Sequence, residues 1–136
     1  MSVSIGSKAE NLKHLLDAGL NVPKFYLIPT DTNLENVKIQ AKVQADFEKW
    51  MLDNDISSAA VRSSSTYEDT KESSFAGQFK TILNVRNGVD LVKALREVLA
   101  AEPSQTYSDK KGIVNAVVQE FIEPDIAGVI FSVNPA

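Results

Sequence analysis

Three segments of the chain place apolar residues at every third or fourth position, which is the spacing of an amphipathic helix. The first covers residues 8–18, and Gly19 is positioned to end it. The second covers residues 33–53, and the third covers residues 88–101 with Asn87 in position to cap it. We therefore predict three helices, of which the second is the longest.

Between these helices the pattern changes to short apolar or alternating runs that are typical of strands. They are residues 24–28, 59–61, 79–85, 114–121 and 128–133. The connection between the last two could form a hairpin. We expect an α+β fold in which flanking helices cover a mixed, mostly antiparallel sheet. Trp50, on the long helix, is expected to pack in the core or against the sheet rather than to stack on a base.

The stretch that begins at residue 59 carries the candidate chemistry. A short apolar strand ends at Arg62, and three serines follow it into a polar loop that we expect over residues 63–74. Arginine stays charged and offers a planar fork of donors that fits phosphate oxygens. Serine hydroxyls and backbone amides can add further donors to such a site. The alternative is a solvated turn, because serine-rich loops are common.

Two other places allow both a functional and an ordinary interpretation. Glu68 and Asp69 could suggest a magnesium site or paired carboxylates, but we favour capping or contacts with nearby basic residues. Lys8 lies in the first turn of the first helix, with Ser7 in position to cap it. A cation is disfavoured there by the helix dipole unless an anion is near, so Lys8 is either a surface lysine or a phosphate ligand.

Composition narrows the class of protein. The chain has 136 residues, with 43% apolar and 24% charged, which is typical of one globular domain over residues 1–136. Its formal net charge of -4 argues against a general nucleic-acid surface. It has no cysteine and a single histidine, so any metal would be held by oxygen ligands. The sequence shows neither a membrane-spanning run nor a signal peptide, and we expect a cytoplasmic location without membrane partners.

Three segments with recognisable motifs occur in order along the chain. They read GSKAENL and AGLNVP at residues 6–12 and 18–23, AVRSSSTYEDTKESSFAGQFKTILNV at residues 60–85, and VVQEFI and AGVIFSVNP at residues 117–122 and 127–135. Together they resemble the nucleotide-binding domain shared by phosphoenolpyruvate synthase, pyruvate phosphate dikinase and rifampin phosphotransferase. The resemblance extends over nearly the whole chain and implies the first subdomain of an ATP-grasp-like fold.

The resemblance also implies a set of nucleotide-binding residues. Lys8 and Arg62 match the family's phosphate-binding lysine and arginine, and Gly77 and Thr81 match a glycine and a threonine that line the nucleotide. The residues that match the strand beside the adenine are Gln119, Glu120, Phe121 and Ile122. In this family ATP donates a phosphoryl group to a histidine on a separate domain, which passes it to pyruvate or another acceptor. The Mg²⁺ that accompanies ATP is expected to have its ligands outside this chain.

Two departures and one alternative accompany the resemblance. Ser7 stands where the family usually has glycine, and Phe121 stands where methionine is common. The resemblance covers only the first subdomain, so we expect the remainder of a parent enzyme as the partner and no turnover by these residues alone. His14 lies in a predicted helix and does not replace the family's histidine. The alternative is a stand-alone, non-catalytic module of the same fold that binds nucleotide or another protein.

Overall fold

The computed structural model describes residues 7–65, 80–100 and 114–133. Three helices and four strands lie within these ranges. Their order is α1 (Ser7–Asp17), β1 (Phe25–Ile28), α2 (Val37–Asp53), β2 (Ala59–Ser65), β3 (Thr81–Val85), α3 (Gly88–Ala100) and β4 (Val114–Glu120). The predicted α+β class is confirmed, and so are the three predicted helices.

The four strands form one sheet in the order β1-β4-β2-β3, and each neighbouring pair is antiparallel. The prediction of a mostly antiparallel sheet is therefore confirmed, with no parallel pair among the described strands. The longest ladder joins β2 to β4 and runs from Ala59 opposite Glu120 to Ser65 opposite Val114. Between β2 and β3 the register slips by one residue at a bulge, where Asn84 adopts a left-handed backbone conformation with φ of 61°.

Helix α2 begins later than its apolar pattern predicts. Its N-cap is Asn36, whose side-chain oxygen accepts hydrogen bonds from the backbone amides of Lys38 and Ile39 at 3.0 and 3.2 Å. The preceding residues form turns, in which Asn36 N donates to the carbonyl oxygen of Asn33. Leu34 lies in one of these turns and is buried there, so its burial does not require a helix. The start predicted at residue 33 is wrong because Asn36 caps the helix and the residues before it form turns.

Strand β2 is longer than predicted, because it continues through the serines that were expected to begin a loop. Ser63 and Ser64 pair with Ala116 and Asn115 of β4, and both serine side chains are completely buried. Pairing with a long partner strand outweighs the turn preference of serine in this position. The remainder of the expected loop, together with Glu68 and Asp69, lies outside the described residues.

The predicted strand at residues 128–133 is wrong. These residues are irregular and exposed, with Ile130 97% accessible to solvent. Strand β4 lies between β1 and β2, so both of its hydrogen-bonding edges are already occupied. A hairpin returning from β4 consequently has no edge of β4 to pair with, and the predicted hairpin does not form.

The hydrophobic core lies between one face of the sheet and helices α2 and α3. The sheet contributes Ala59 and Val61 from β2 and Ala116 and Val118 from β4. The residues that the two helices add include Phe47, Met51, Leu91, Leu95 and Val98. As predicted, Trp50 packs against this core. The centroid of its ring lies 5.0 Å from that of Tyr26, in an edge-on arrangement. Among the helices described, none is long and apolar enough to cross a membrane.

Candidate functional site

The face of the sheet opposite the core carries polar side chains. Residues alternate between the two faces along a strand, and Ala59 and Val61 belong to the core. Arg62 and Ser64 therefore lie on the opposite face of β2. The ladder pairs Arg62 with Val117 and Ser64 with Asn115, which places alternate residues of β4 on the same face. We call this surface the polar face and define it by Arg62, Ser64, Thr81, Asn115 and Gln119.

Arg62 is the central cation of the polar face. Its side chain is half-buried, and Nη1 donates a hydrogen bond to Oε1 of Gln119 across the β2–β4 ladder at 3.4 Å. On its other side Arg62 is directly opposite Thr81 of β3, whose side chain is exposed. Arg62 belongs to none of the ion pairs formed between described residues. A half-buried guanidinium with a neutral hydrogen-bond partner is well suited to bind an anion.

The start of helix α1 is attached to the same face. The backbone amide of Ala9 donates to Oγ of Ser64 at 3.2 Å, and Ala9 is completely buried. This bond satisfies one of the free amides at the helix N-terminus. It also places Lys8, which is half-buried, next to the residue that contacts Ser64. The predicted phosphate-binding residues Lys8 and Arg62 thus belong to two different elements, α1 and β2, that meet at Ser64.

Asn115 connects the polar face to the segment that follows β1. Its Oδ1 accepts a hydrogen bond from the backbone amide of Thr30, just after β1, at 3.1 Å. Asn115 is buried and lies opposite Ser64 in the β2–β4 ladder. Ser64 thus holds the start of α1 to the sheet, and Asn115 holds the residue that lies two positions after β1.

The end of β4 separates the residues predicted to lie beside the adenine. Gln119 is on the polar face, whereas the alternation of the strand directs Glu120 to the opposite face. Glu120 Oε1 accepts from the backbone amide of Lys24 at 3.4 Å, and Glu120 N donates to the Lys24 carbonyl at 2.7 Å. Phe121 follows the strand and donates its amide to the Ser58 carbonyl at 3.1 Å. Ile122 is 57% exposed.

The structure thus brings Arg62, Thr81 and Gln119 onto one face, with Lys8 beside it. Glu120 lies on the other face, and Phe121 and Ile122 lie beyond the strand. Gly77 is outside the described residues. No group of three or more His, Cys, Asp or Glu side chains suited to a metal ion occurs in residues 7–65, 80–100 and 114–133.

Sequence reasoning did not single out Ser64 or Asn115 as anchors of the site. The signal was present in part, because Arg62 and Ser64 occupy alternate positions of β2, and Asn115 and Gln119 lie on one face of β4. A strand with one apolar and one polar face reads in this way. Which helix would cover the polar face could not be read from the strands themselves.

Most of the chain matches a known protein family. Residues 35–136 match the family described as pyruvate phosphate dikinase, AMP/ATP-binding domain. The chain belongs to this family. The matched range includes Arg62, Thr81 and Gln119, whereas Lys8 precedes it.

Curated relatives carry related names. An uncharacterized phosphotransferase, YvkC, of Bacillus subtilis is 33% identical over 96% of this chain and 19% of its own length. A probable phosphoenolpyruvate synthase of Methanothermobacter thermautotrophicus is 26% identical over 96% of this chain and 27% of its own. The phosphoenolpyruvate synthase of Escherichia coli is 28% identical over 98% of this chain and 22% of its own. The chain thus spans about a fifth to a quarter of the length of these relatives.

The alignments to these relatives are longer than the chain itself. They extend over 162, 184 and 171 positions, compared with 136 residues here. The relatives therefore carry insertions relative to this chain within the aligned region.

Proposed function

We propose that this chain binds ATP on the polar face, with the phosphates at Arg62 and Lys8. Thr81 and Gly77 line the nucleotide, and the adenine lies past Gln119 at the end of β4, beside the backbone of Glu120, Phe121 and Ile122. The observation that carries the proposal is Arg62, a half-buried cation on the polar face that joins none of the ion pairs between described residues. Membership in an AMP/ATP-binding domain family supports ATP as the anion.

The chemistry of the described residues fits the binding half of phosphoryl transfer. Cations held in place near the transferred phosphoryl group stabilise the charge that spreads over its oxygens. Lys8 and Arg62 would supply this stabilisation. Mg²⁺ bound with ATP would neutralise further charge, and we expect its protein ligands to lie outside this chain.

We further propose that the chain is the first ATP-grasp-type subdomain of a phosphotransferase. In such an enzyme ATP would phosphorylate a histidine on a separate domain, and that histidine would pass the group to pyruvate or a similar acceptor. Relatives named phosphoenolpyruvate synthase support this reading, and this chain spans only 27% and 22% of two of them. On this proposal the partner is the remainder of the enzyme, and the 136 residues alone do not turn over ATP with pyruvate.

The decisive experiment is a titration of backbone amide chemical shifts with ATP. We expect the shifts to concentrate at Lys8, Arg62, Thr81 and the end of β4, and to weaken as salt is added because exposed phosphate contacts are screened. Arg62→Ala should lower the affinity by about tenfold or more, the value of a charge-assisted bond. Lys8→Ala should lower it less, because a lysine contributes a point charge rather than a fork of donors.

Arg96→Ala is the matched control, since it removes the same charge from α3. Arg96 pairs with Glu35 on the helical side of the sheet and should leave ATP binding unchanged. If Arg96→Ala weakens the ATP-induced amide shifts and Arg62→Ala leaves them unchanged, the proposed site is wrong.

A second candidate is a stand-alone module that retains the fold but not the catalytic role. The shorter length of this chain over the region aligned with its relatives favours it. It predicts a different outcome of the same titration. No amide shift at several millimolar ATP, or shifts confined to α2, would support an interaction module.

A further inference from the structure

The hydrogen bond between Arg62 and Gln119 assigns a role to Gln119 that differs from reading the base. Gln119 Oε1 accepts from Arg62 Nη1 at 3.4 Å, on a part-buried surface. The ladder places Gln119 opposite Ala60 and Arg62 opposite Val117, so the two long side chains meet diagonally across neighbouring strands. Ala60 is small and buried, which leaves room for the arginine to lie toward Gln119.

The chemical type of this partner matters. An arginine has five N–H donors, and Gln119 occupies one of them. A carboxylate at this position would cancel the positive charge, whereas an amide oxygen orients the guanidinium and leaves its charge intact. A separation of 3.4 Å is long for a strong hydrogen bond. The contact therefore limits the directions of the side chain without locking it to the protein.

We propose that Gln119 is a positioning residue for phosphate, which holds the Arg62 guanidinium on the polar face while preserving its charge. The inference rests on the proposed function, because it requires that Arg62 contacts the phosphates. It places Gln119 with the phosphate end of the nucleotide through its effect on Arg62. The contribution of Gln119 should accordingly depend on the charge of the ligand and be absent for adenosine.

The test is a double-mutant cycle on ATP affinity with Gln119→Met and Arg62→Ala. Methionine has a similar length but no strong acceptor, so it removes the contact with little change of shape. We expect Gln119→Met alone to weaken ATP binding by about threefold to tenfold, which is the range of a weak charge-assisted bond. In the Arg62→Ala background the same substitution should have no further effect. Adenosine binding should be unchanged by Gln119→Met.

Two further variants separate positioning from a merely structural role. Gln119→Glu keeps the acceptor but adds a negative charge, so it should weaken ATP binding, and added salt should reduce that loss. Gln40→Met makes the same replacement on α2, where Gln40 is half-buried, and should leave ATP affinity unchanged. The urea midpoint of Gln119→Met should match that of the unsubstituted protein.

The outcomes distinguish the inference from the function beneath it. If Arg62→Ala weakens ATP binding and Gln119→Met adds an independent loss, Gln119 acts on the ligand itself and the inference is overturned. An equal loss for adenosine and ATP would overturn it as well. If Arg62→Ala leaves ATP affinity unchanged, the proposed function fails together with the inference.

Discussion

The two faces of the sheet are built from the same strands but have opposite character. On the core face, Val61 and Val118 are completely buried against α2 and α3. On the polar face, Arg62 and Gln119 are half-buried, and α1, which bonds to Ser64 there, leaves its Leu15 and Leu16 43% and 53% exposed. One residue along β2 is therefore enough to move from apolar packing to a charged surface.

The difference suggests that stability and ligand binding are located on opposite faces. Burial of apolar surface is the main favourable term in folding, and most of the largest buried side chains come from the core face and its helices. On the polar face, we propose that the donors and the cation Arg62 serve to bind an anionic ligand rather than to pack. Substitutions on each face should therefore affect different measurements.

The largest expected effect is on the core face. Leu95→Ala in α3 should lower the free energy of unfolding by about 2–5 kcal/mol, because Leu95 is completely buried and its removal leaves a cavity. Leu16→Ala on the exposed side of α1 should change it by less than about 0.5 kcal/mol. Urea denaturation of both variants measures the contrast. Equal losses would show that α1 is as important to folding as α3.

A smaller loss of unfolding free energy is expected where the start of α3 lies against α2. A Cβ atom added to Gly88 would lie 2.6 Å from Cβ and 3.0 Å from Cα of Gln44, closer than the packed helices allow. Gly88→Ala should therefore destabilise the fold by about 1–3 kcal/mol, despite the better helix propensity of alanine.

Gln44→Gly provides the control for that clash, since it removes Cβ and Cγ of Gln44, two of the three contacting atoms. In thermal or urea unfolding, the double variant should lose less unfolding free energy than the sum of the losses of the two single variants. Strict additivity would mean that the close approach is not the cause of the loss.

Arg62→Met tests whether the polar face is dispensable for folding. The substitution removes a half-buried cation that belongs to no ion pair formed among the described residues. The free energy of unfolding should change by less than about 1 kcal/mol, in either direction, while ATP affinity falls. Paired measurements of unfolding and ATP binding on one preparation decide it. A large loss of stability would show that Arg62 is part of the structural core.

The sequence predicted the parts of the fold that depend on local pattern. The helices were recognised because their apolar spacing is retained over several turns, as in α3 with Leu91, Leu95 and Val98 on its buried side. Asn87 was correctly assigned as a cap, since its Oδ1 accepts from the amide of Asp90 at 2.8 Å. These features require only neighbours within one turn.

The errors arose where a distant segment decides the outcome. Ser63 and Ser64 are in a strand because β4 pairs with them, more than fifty positions away in the chain. Residues 128–133 are not in a strand because β1 and β2 already flank β4. At the site, Arg62 could be predicted from its charge at the end of an apolar run. The anchoring of α1 by Ser64 could not, because it depends on how a separate helix docks.

The smallest expected effect concerns a buried hydroxyl on the helical side of the sheet. Tyr26 Oη is buried and has no hydrogen-bond partner among the described residues. Burial, with a smaller contribution from the charge of Asp46, raises the pKa of Tyr26 above its ordinary value of 10.0. Tyr26→Phe removes the unpartnered group and keeps the ring that packs against Trp50. The free energy of unfolding at neutral pH should stay the same or rise slightly.

The pH dependence of the same variant gives a sharper test. Since the folded state holds the proton of Tyr26 more tightly than the unfolded state, the unfolded chain gains stability as pH rises above about 10. The unsubstituted protein should therefore lose stability more steeply than Tyr26→Phe above that pH, and the two should run parallel below it. The remaining ionisable groups are the same in both proteins, so their contributions cancel in the difference. Parallel curves throughout the alkaline range would show that the Tyr26 hydroxyl is solvated in the folded protein.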